Sequence, residues 1–287
     1  MNTLLAIGLG YSATATAARL APQGWRIIGT ARGAEGLPAI RARGYDAVSF
    51  DGDAPSPALR EALREATHLL LSAAPDANGD PVLGHHRADL DAAPNLRWVG
   101  YLSTIGVYGD HGGGWVDEAT PPVPVSERSL WRLHAEQAWE AFGAARGLPV
   151  AVFRLSGIYG PGRNAAARLK AGNERRVLKP GQVFNRIHVE DIASAVEAAI
   201  ARNAGGIFNV TDDEPAPPQD IVAFAAELLG MEPPPLIGWD DASLTPMARS
   251  FYEENKRVRN ARMKDALGVT LRYPTYREGL RALAGAL

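Results

Sequence analysis

Short apolar runs alternate with amphipathic stretches from Thr3 to Leu155, and this alternation restricts the fold more than any other feature of the chain. Thr3–Ile7, Arg26–Thr30, Ala47–Phe50, His68–Ser72, Leu96–Leu102 and Val150–Leu155 read as strands. Ser12–Ala21, Glu35–Arg43, Pro57–Ala66, Val82–Ala93 and Glu127–Arg146 read as the helices between them. Strands that alternate with helical patterns predict right-handed βαβ units and a parallel sheet. Because the strands are almost continuously apolar, helices are expected on both faces. After Tyr159 the pattern loosens. Gly160-Pro161-Gly162 is a turn signal and Ala165–Ala171 a short helix. Ile187–Val189 reads as a return to the sheet, followed by a helix over Asp191–Ala201 and a strand over Ile207–Val210. Beyond Thr211, proline clusters at Pro215, Pro217-Pro218 and Pro233-Pro234-Pro235 separate short helices. The expected architecture is α/β, a doubly wound parallel sheet with a smaller, irregular C-terminal lobe. Residues 1–159 with 186–210 would form the sheet domain. Residues 160–185 with 211–287 would form the lobe that reads the substrate.

The first strand ends in Ala6-Ile7-Gly8-Leu9-Gly10-Tyr11-Ser12-Ala13, a G-x-G-x-x-A turn that opens the first helix. Gly8 permits the tight turn, Gly10 lets backbone approach a pyrophosphate, and Ala13 allows close packing of helix on strand. Free N–H groups and the helix dipole favour an anion there, next to Tyr11 and Ser12. The motif alone is weak, but it falls in the first βα unit, where it must fall to work. This is the signature of a Rossmann-type dinucleotide site. The second strand leads into Thr30-Ala31-Arg32, with no acid between residues 28 and 34. An acid there serves the ribose hydroxyl of NAD, whereas an arginine suits the 2′-phosphate of NADP. NADP is therefore the expected cofactor, with NAD possible; the alternative for Arg32 is a solvated surface side chain. Asp51 could reach the adenine edge or cap the following turn. Ser72 and Ala73, at the end of the fourth strand, would line the cofactor.

Composition narrows the remaining classes. The 287 residues are 46% hydrophobic and 22% charged, enough for a sizeable core. The net charge of -2 comes with no basic stripe or tail, so no nucleic-acid partner is expected. Without cysteine, disulfides, thiolate metal sites and a cysteine nucleophile are excluded. The N-terminal apolar run is short and lacks a basic flank, and no run of 18 apolar residues occurs. The expectation is a cytoplasmic protein without a membrane partner. His85-His86 carries no acidic or histidine partner at i+4 to His86, so no metal site is expected.

Several segments resemble the extended short-chain dehydrogenase/reductases, the NAD-dependent epimerase/dehydratase family. Leu102-Ser103-Thr104-Ile105-Gly106-Val107-Tyr108-Gly109 resembles the strand that carries the family's catalytic Ser/Thr, which places Thr104 at that position. Phe153-Arg154-Leu155-Ser156-Gly157-Ile158-Tyr159-Gly160-Pro161-Gly162-Arg163 resembles the segment near the nicotinamide, with Ser156 in it. Ile187-His188-Val189-Glu190-Asp191 resembles the I-H-V-x-D motif, and Phe208-Asn209-Val210 the Y-N-V strand. Arg257-Val258-Arg259-Asn260 to Leu267-Gly268 resembles the closing helix. The matches span nearly the whole chain in order. They imply a dinucleotide-dependent oxidoreductase or epimerase-like enzyme acting on a small polar substrate. They also imply a homodimer built on the helix after Glu127.

One departure matters. The family places Y-x-x-x-K on that helix, so that the ammonium and cofactor lower the tyrosine pKa for proton exchange. Aligned on Glu136, this chain has Arg128 for the tyrosine and Arg132 for the lysine. No tyrosine lies between Tyr108 and Tyr159, and no lysine precedes Lys170. Arginine holds anions and hydroxyls but is a poor proton donor, with a pKa above about 12. Arg132 could keep the lysine's cofactor contact; Arg128 cannot do the tyrosine's work. The other reading of Arg128, Arg132 and Glu136 is a solvated charged stripe. His111, in the loop after the Thr104 strand, titrates in the right range for a substitute acid or base. Tyr108 and Glu118 are further candidates, with packing and turn roles as the alternatives. Trp131 and Trp139 are expected in the core or at a dimer contact. A non-catalytic NADP(H)-binding sensor is the competing function.

Overall fold

The computed structural model describes residues 1–241 and 243–285. Seven parallel strands form the central sheet, in the spatial order Gly206–Val210, Val150–Leu155, Trp98–Thr104, His68–Leu71, Thr3–Ile7, Arg26–Ala31, Asp46–Ser49. Successive residues of a strand face opposite sides, so an unbroken apolar strand feeds two cores. Leu4 and Ala6 join one buried cluster, with Leu70, Phe153 and Ile192. Leu5 and Ile7 join the other, with Leu69, Leu71, Trp139 and Phe142. This is why the strands read without alternation. The expected Rossmann-type fold class is what the chain forms.

The Glu127–Arg146 helix covers the second face and positions much of the site. Ser126 begins it by accepting from the Ser129 N–H, and Gly147 ends it in the left-handed conformation at φ 64°. Its buried stripe is Ser129, Ala135, Glu136, Trp139, Phe142 and Gly143, the i, i+3, i+4 pattern of a helix laid on a sheet.

Two expectations are corrected. Arg186–His188 does not return to the large sheet; it pairs in parallel with Gly157–Tyr159 as a separate two-stranded ribbon. The sheet's edge on that side is Gly206–Val210, so Arg186–His188 lies outside the large sheet. Two further parallel pairs join Trp115–Val116, in a stretch that reads as a loop, to Arg257–Val258, which the closing-helix resemblance includes although the helix itself is Ala261–Leu267, and Arg176–Leu178 to Leu236–Gly238. At two or three residues they are too short to carry a period. Separate apolar clusters lie under this region, one around Ala166, Ile221, Tyr276 and Leu280, another around Val177, Leu244 and Tyr252. No helix among the described residues is long and apolar enough to cross a membrane.

Candidate active site

The glycine turn lies where the strand order reverses. Thr3–Ile7 has Arg26–Ala31 on one side and His68–Leu71 on the other, and such a switch point opens the crevice that α/β sheets use for ligands. Gly8 sits at φ 78°, a conformation that favours glycine. Its N–H donates to Thr30 Oγ1 at 2.8 Å. The N–H groups of Ser72 and Ala73 both donate to the Ile7 carbonyl, at 2.9 and 3.0 Å. The residues chosen from three separate strand ends therefore meet at one point. At Gly10 a Cβ would meet nothing nearer than the Gly8 carbonyl at 3.9 Å, so the approach to the helix is open. The helix Tyr11–Leu20 has no side-chain cap, Ser12 and Ala13 are buried, and the amides of Tyr11, Ser12 and Ala13 have no backbone partner among the described residues. These residues fit a diphosphate. Tyr11 donates its hydroxyl to the Pro161 carbonyl at 3.0 Å, tying the turn to the Gly160 segment.

Arg32 is exposed, makes no hydrogen bond among the described residues, and stands at the end of the second strand. Asp51 is exposed, and its Oδ1 accepts from the Asp53 N–H at 3.0 Å, which is the turn-capping role.

A cavity of about 1110 Å³ lies beside the C-terminal ends of the sheet, with Asn164, Val183, Ile221 and Tyr252 among the residues of its other walls. Thr104, Arg128, Arg132 and Ser156 all line it, as do Ala74 and Pro75, which continue the Ser72-Ala73 strand end. Thr104 is half-buried and its Oγ1 accepts from the Gly106 N–H at 3.0 Å, leaving the hydroxyl proton free to donate. Arg128 is exposed to the cavity and has no partner among the described residues. Arg132 donates from Nη1 to the Leu102 carbonyl at 2.7 Å, and its guanidinium lies 5.8 Å from the Tyr101 ring. Ser156 donates to the Val210 carbonyl at 3.3 Å. Trp131 lines the cavity as well, whereas Trp139 is wholly buried in the core, so the two tryptophans part company.

Other candidates serve the scaffold. His111 lies outside the cavity lining; its Nε2 is 3.1 Å from the Tyr108 carbonyl, and its backbone N–H donates to the Asn255 carbonyl. Tyr108 is fully buried and donates to Asn209 Oδ1 at 2.8 Å; Glu118 accepts from the Asn209 N–H at 2.8 Å. Glu136 is not part of a solvated stripe. It is 1% exposed and receives Arg154 and the Ser103 hydroxyl. His86 is buried, with Nδ1 2.8 Å from Asp89 and Nε2 accepting from the Ser56 N–H.

The cavity also gathers residues that sequence reasoning did not single out. Arg168, Arg175, Arg186 and Lys256 add to Arg128 and Arg132, against Glu127, Glu174, Glu253 and Glu254. Arg168 pairs with Glu174, and Lys256 with Glu254. The walls are thus net cationic on a protein of net charge -2. Scarcity marks Lys256 only as one of four lysines in the chain, and nothing local marks Arg186.

The sequence profile of the NAD dependent epimerase/dehydratase family matches residues 85–211, the stretch that supplies Thr104, Arg128, Arg132 and Ser156. Over that stretch the chain matches the family's sequence pattern. A structure of a functionally unknown conserved protein from Silicibacter pomeroyi DSS shares 55% identity and a TM-score of 0.92, over 100% of this chain and 99% of that one. Protein YeeZ of Escherichia coli (strain K12) is 28% identical over 96% of this chain and 97% of its own length. A 3-diazoavenalumate denitrifying reductase from Streptomyces sp is 31% identical over 58% of this chain and 55% of its own. The matched stretch includes the Thr104 strand end, and the glycine turn precedes it in the chain.

Proposed function

We propose that the chain is an oxidoreductase or epimerase-like enzyme that binds NADP in preference to NAD, with its substrate in the cavity between the sheet and residues 160–185 with 211–287. One observation carries the reading. The uncapped helix after Gly10 and the cavity lined by Thr104 and Arg128 open at neighbouring strand ends of one sheet. The matching reductase relative supports redox chemistry.

Gly8, Gly10, Tyr11, Ser12 and Ala13 would hold the diphosphate. Thr30 fixes the turn, Arg32 would take the 2′-phosphate, and Ser72 and Ala73 would wall the crevice. When bound, the cofactor supplies or accepts a hydride. The Thr104 hydroxyl would orient a substrate oxygen. Arg128 would hold negative charge on that oxygen without delivering a proton, because a guanidinium stays protonated at neutral pH. The proton would then come from water. Arg132, already committed to the Leu102 carbonyl, would brace the strand end. His111 lies outside the cavity lining, with Nε2 3.1 Å from the Tyr108 carbonyl, so the acid's role is not assigned to it.

The same arginine pair favours a second reading, a sensor that binds NADP(H) without turnover. Anaerobic incubation with NADPH and a panel of carbonyl compounds separates the two. Oxidation of NADPH with at least one compound is expected. Firm dinucleotide binding with no turnover across the panel would transfer the case to the sensor. No binding of NADP or NAD at millimolar concentration would remove both.

A further inference from the structure

Arg186 lines the large cavity from the strand Arg186–His188. Its Nη1 donates to the Phe184 carbonyl at 3.0 Å and reaches the Ala216 carbonyl at 3.5 Å. Its Nε and Nη2 have no partner among the described residues and are not sealed off in the protein. That edge presents two parallel N–H groups, the geometry that takes both oxygens of a carboxylate. The chain itself shows the match. Through the same edge Arg154 grips Glu136, with Nε to Oε1 at 3.2 Å and Nη2 to Oε2 at 2.7 Å. At Arg186 no carboxylate among the described residues fills the place.

The neighbouring charges do not cancel it. Arg168 is already paired with Glu174. Asp212 faces Arg186 but forms no ion pair with it. Burial pushes the Asp212 carboxyl well above the usual carboxylate range, and its Oδ2 has no partner. Burial also pulls Arg186 down, to about 10, which leaves it cationic at neutral pH. A desolvated cation without a counter-charge is costly, and a bound anion would relieve that cost. The surroundings choose among anions. Tyr159, Phe184 and Tyr276 line the cavity close to Arg186, and Ile221 and Leu280 pack with Tyr276 and line it too. Desolvation rises steeply with charge, so aromatic and aliphatic walls favour a planar monoanion over a doubly charged phosphate.

We propose that Arg186 anchors a carboxylate-binding subsite and that the substrate is an organic acid. This rests on the cavity being the substrate site of the proposed oxidoreductase. The probe is benzoate, titrated calorimetrically into the full chain saturated with NADP, against its neutral isostere benzamide and inorganic phosphate. Benzoate is expected to bind better than both. Arg186→Leu should weaken it roughly tenfold or more, the value of a charge-assisted contact. Arg186→Lys keeps the charge but loses the two-pronged edge, and should lose most of the same affinity. Melting curves of both variants without ligand report whether the carbonyl contacts of Nη1 were needed for folding. If they were, crystals of the wild type with 4-bromobenzoate give the answer without a variant, with bromine expected in the cavity and the carboxylate on Arg186. Equal binding of benzoate and benzamide, unchanged affinity in a folded Arg186→Leu, or a carboxylate bound away from Arg186 would overturn the proposal. The titration repeated without dinucleotide keeps the two ideas apart. Benzoate bound by a chain that binds no dinucleotide sinks the oxidoreductase reading alone. Dinucleotide bound without benzoate sinks the carboxylate subsite alone.

Discussion

Arg154 clasps Glu136 through its Nε and Nη2 edge, with both side chains at most 3% exposed. The pair joins the Val150–Leu155 strand to the Glu127–Arg146 helix directly beneath the residues that line the cavity. The Ser103 hydroxyl also donates to Glu136, and the Arg154 guanidinium lies 4.8 Å from the Tyr108 ring. A buried pair is costly to break because the survivor is left charged and unmatched. Glu136→Ala should cost about 3–5 kcal/mol in urea unfolding. Replacing both residues with apolar side chains should recover most of that loss. A single variant within about 0.5 kcal/mol of wild type would show that the pair does not hold helix to strand.

Gly10→Ala separates folding from binding. Gly10 has φ -84°, which any residue tolerates, and a Cβ there would meet only the Gly8 carbonyl at 3.9 Å. Stability should change by no more than about 1 kcal/mol. Dinucleotide affinity should fall about tenfold or more, since the methyl occupies the path of the diphosphate. Fluorescence titration beside a melting curve checks both halves, and intact affinity would move the nucleotide away from this turn.

Arg32→Ala should act on one cofactor only. Arg32 is exposed and unpaired, so the fold should not register its loss. NADP affinity should drop roughly tenfold to a hundredfold, the worth of one or two charge-assisted contacts, with NAD unchanged. Parallel titrations with both nucleotides decide; equal weakening of the two would refute the 2′-phosphate assignment.

His68 gives the fold an acid sensitivity. Burial lowers its pKa from 6.5 to about 4, with Arg97 adding to the effect. Between those values the unfolded chain binds the proton and the folded chain does not. Its contribution is therefore complete above pH 6.5 and is lost as pH falls toward 4. His188 behaves alike, lowered to about 4 by burial. Raised carboxyl pKa values, as at Asp191, act in the opposite sense. The comparison that isolates the term is wild type against His68→Gln, with unfolding free energies measured from pH 7 to 4.5. The variant should show the shallower decline, and identical slopes would mean that His68 is protonated equally in both states.

The sequence determined the sheet's identity and the place of the nucleotide turn, because both are written in local periodicity. Runs such as Thr3–Ile7 and Val150–Leu155, and the Glu127–Arg146 helix with its Ser126 and Gly147 ends, need only their own residues to be recognised. So does the turn from Gly8 to Ala13, which needs particular residues at fixed spacing. Thr104, Arg128, Arg132 and Ser156 could be placed near one another because the strand ends of a parallel sheet converge. Tertiary structure decided what each charged side chain does. Glu136 and Arg128 stand on one helix eight residues apart, yet the first is sealed against Arg154 and the second opens on the cavity. The strand Arg186–His188 pairs with Gly157–Tyr159 instead of the large sheet, and Arg186 lines the cavity. Burial and charge pairing depend on contacts between residues distant in the chain, and no window of neighbouring residues contains them.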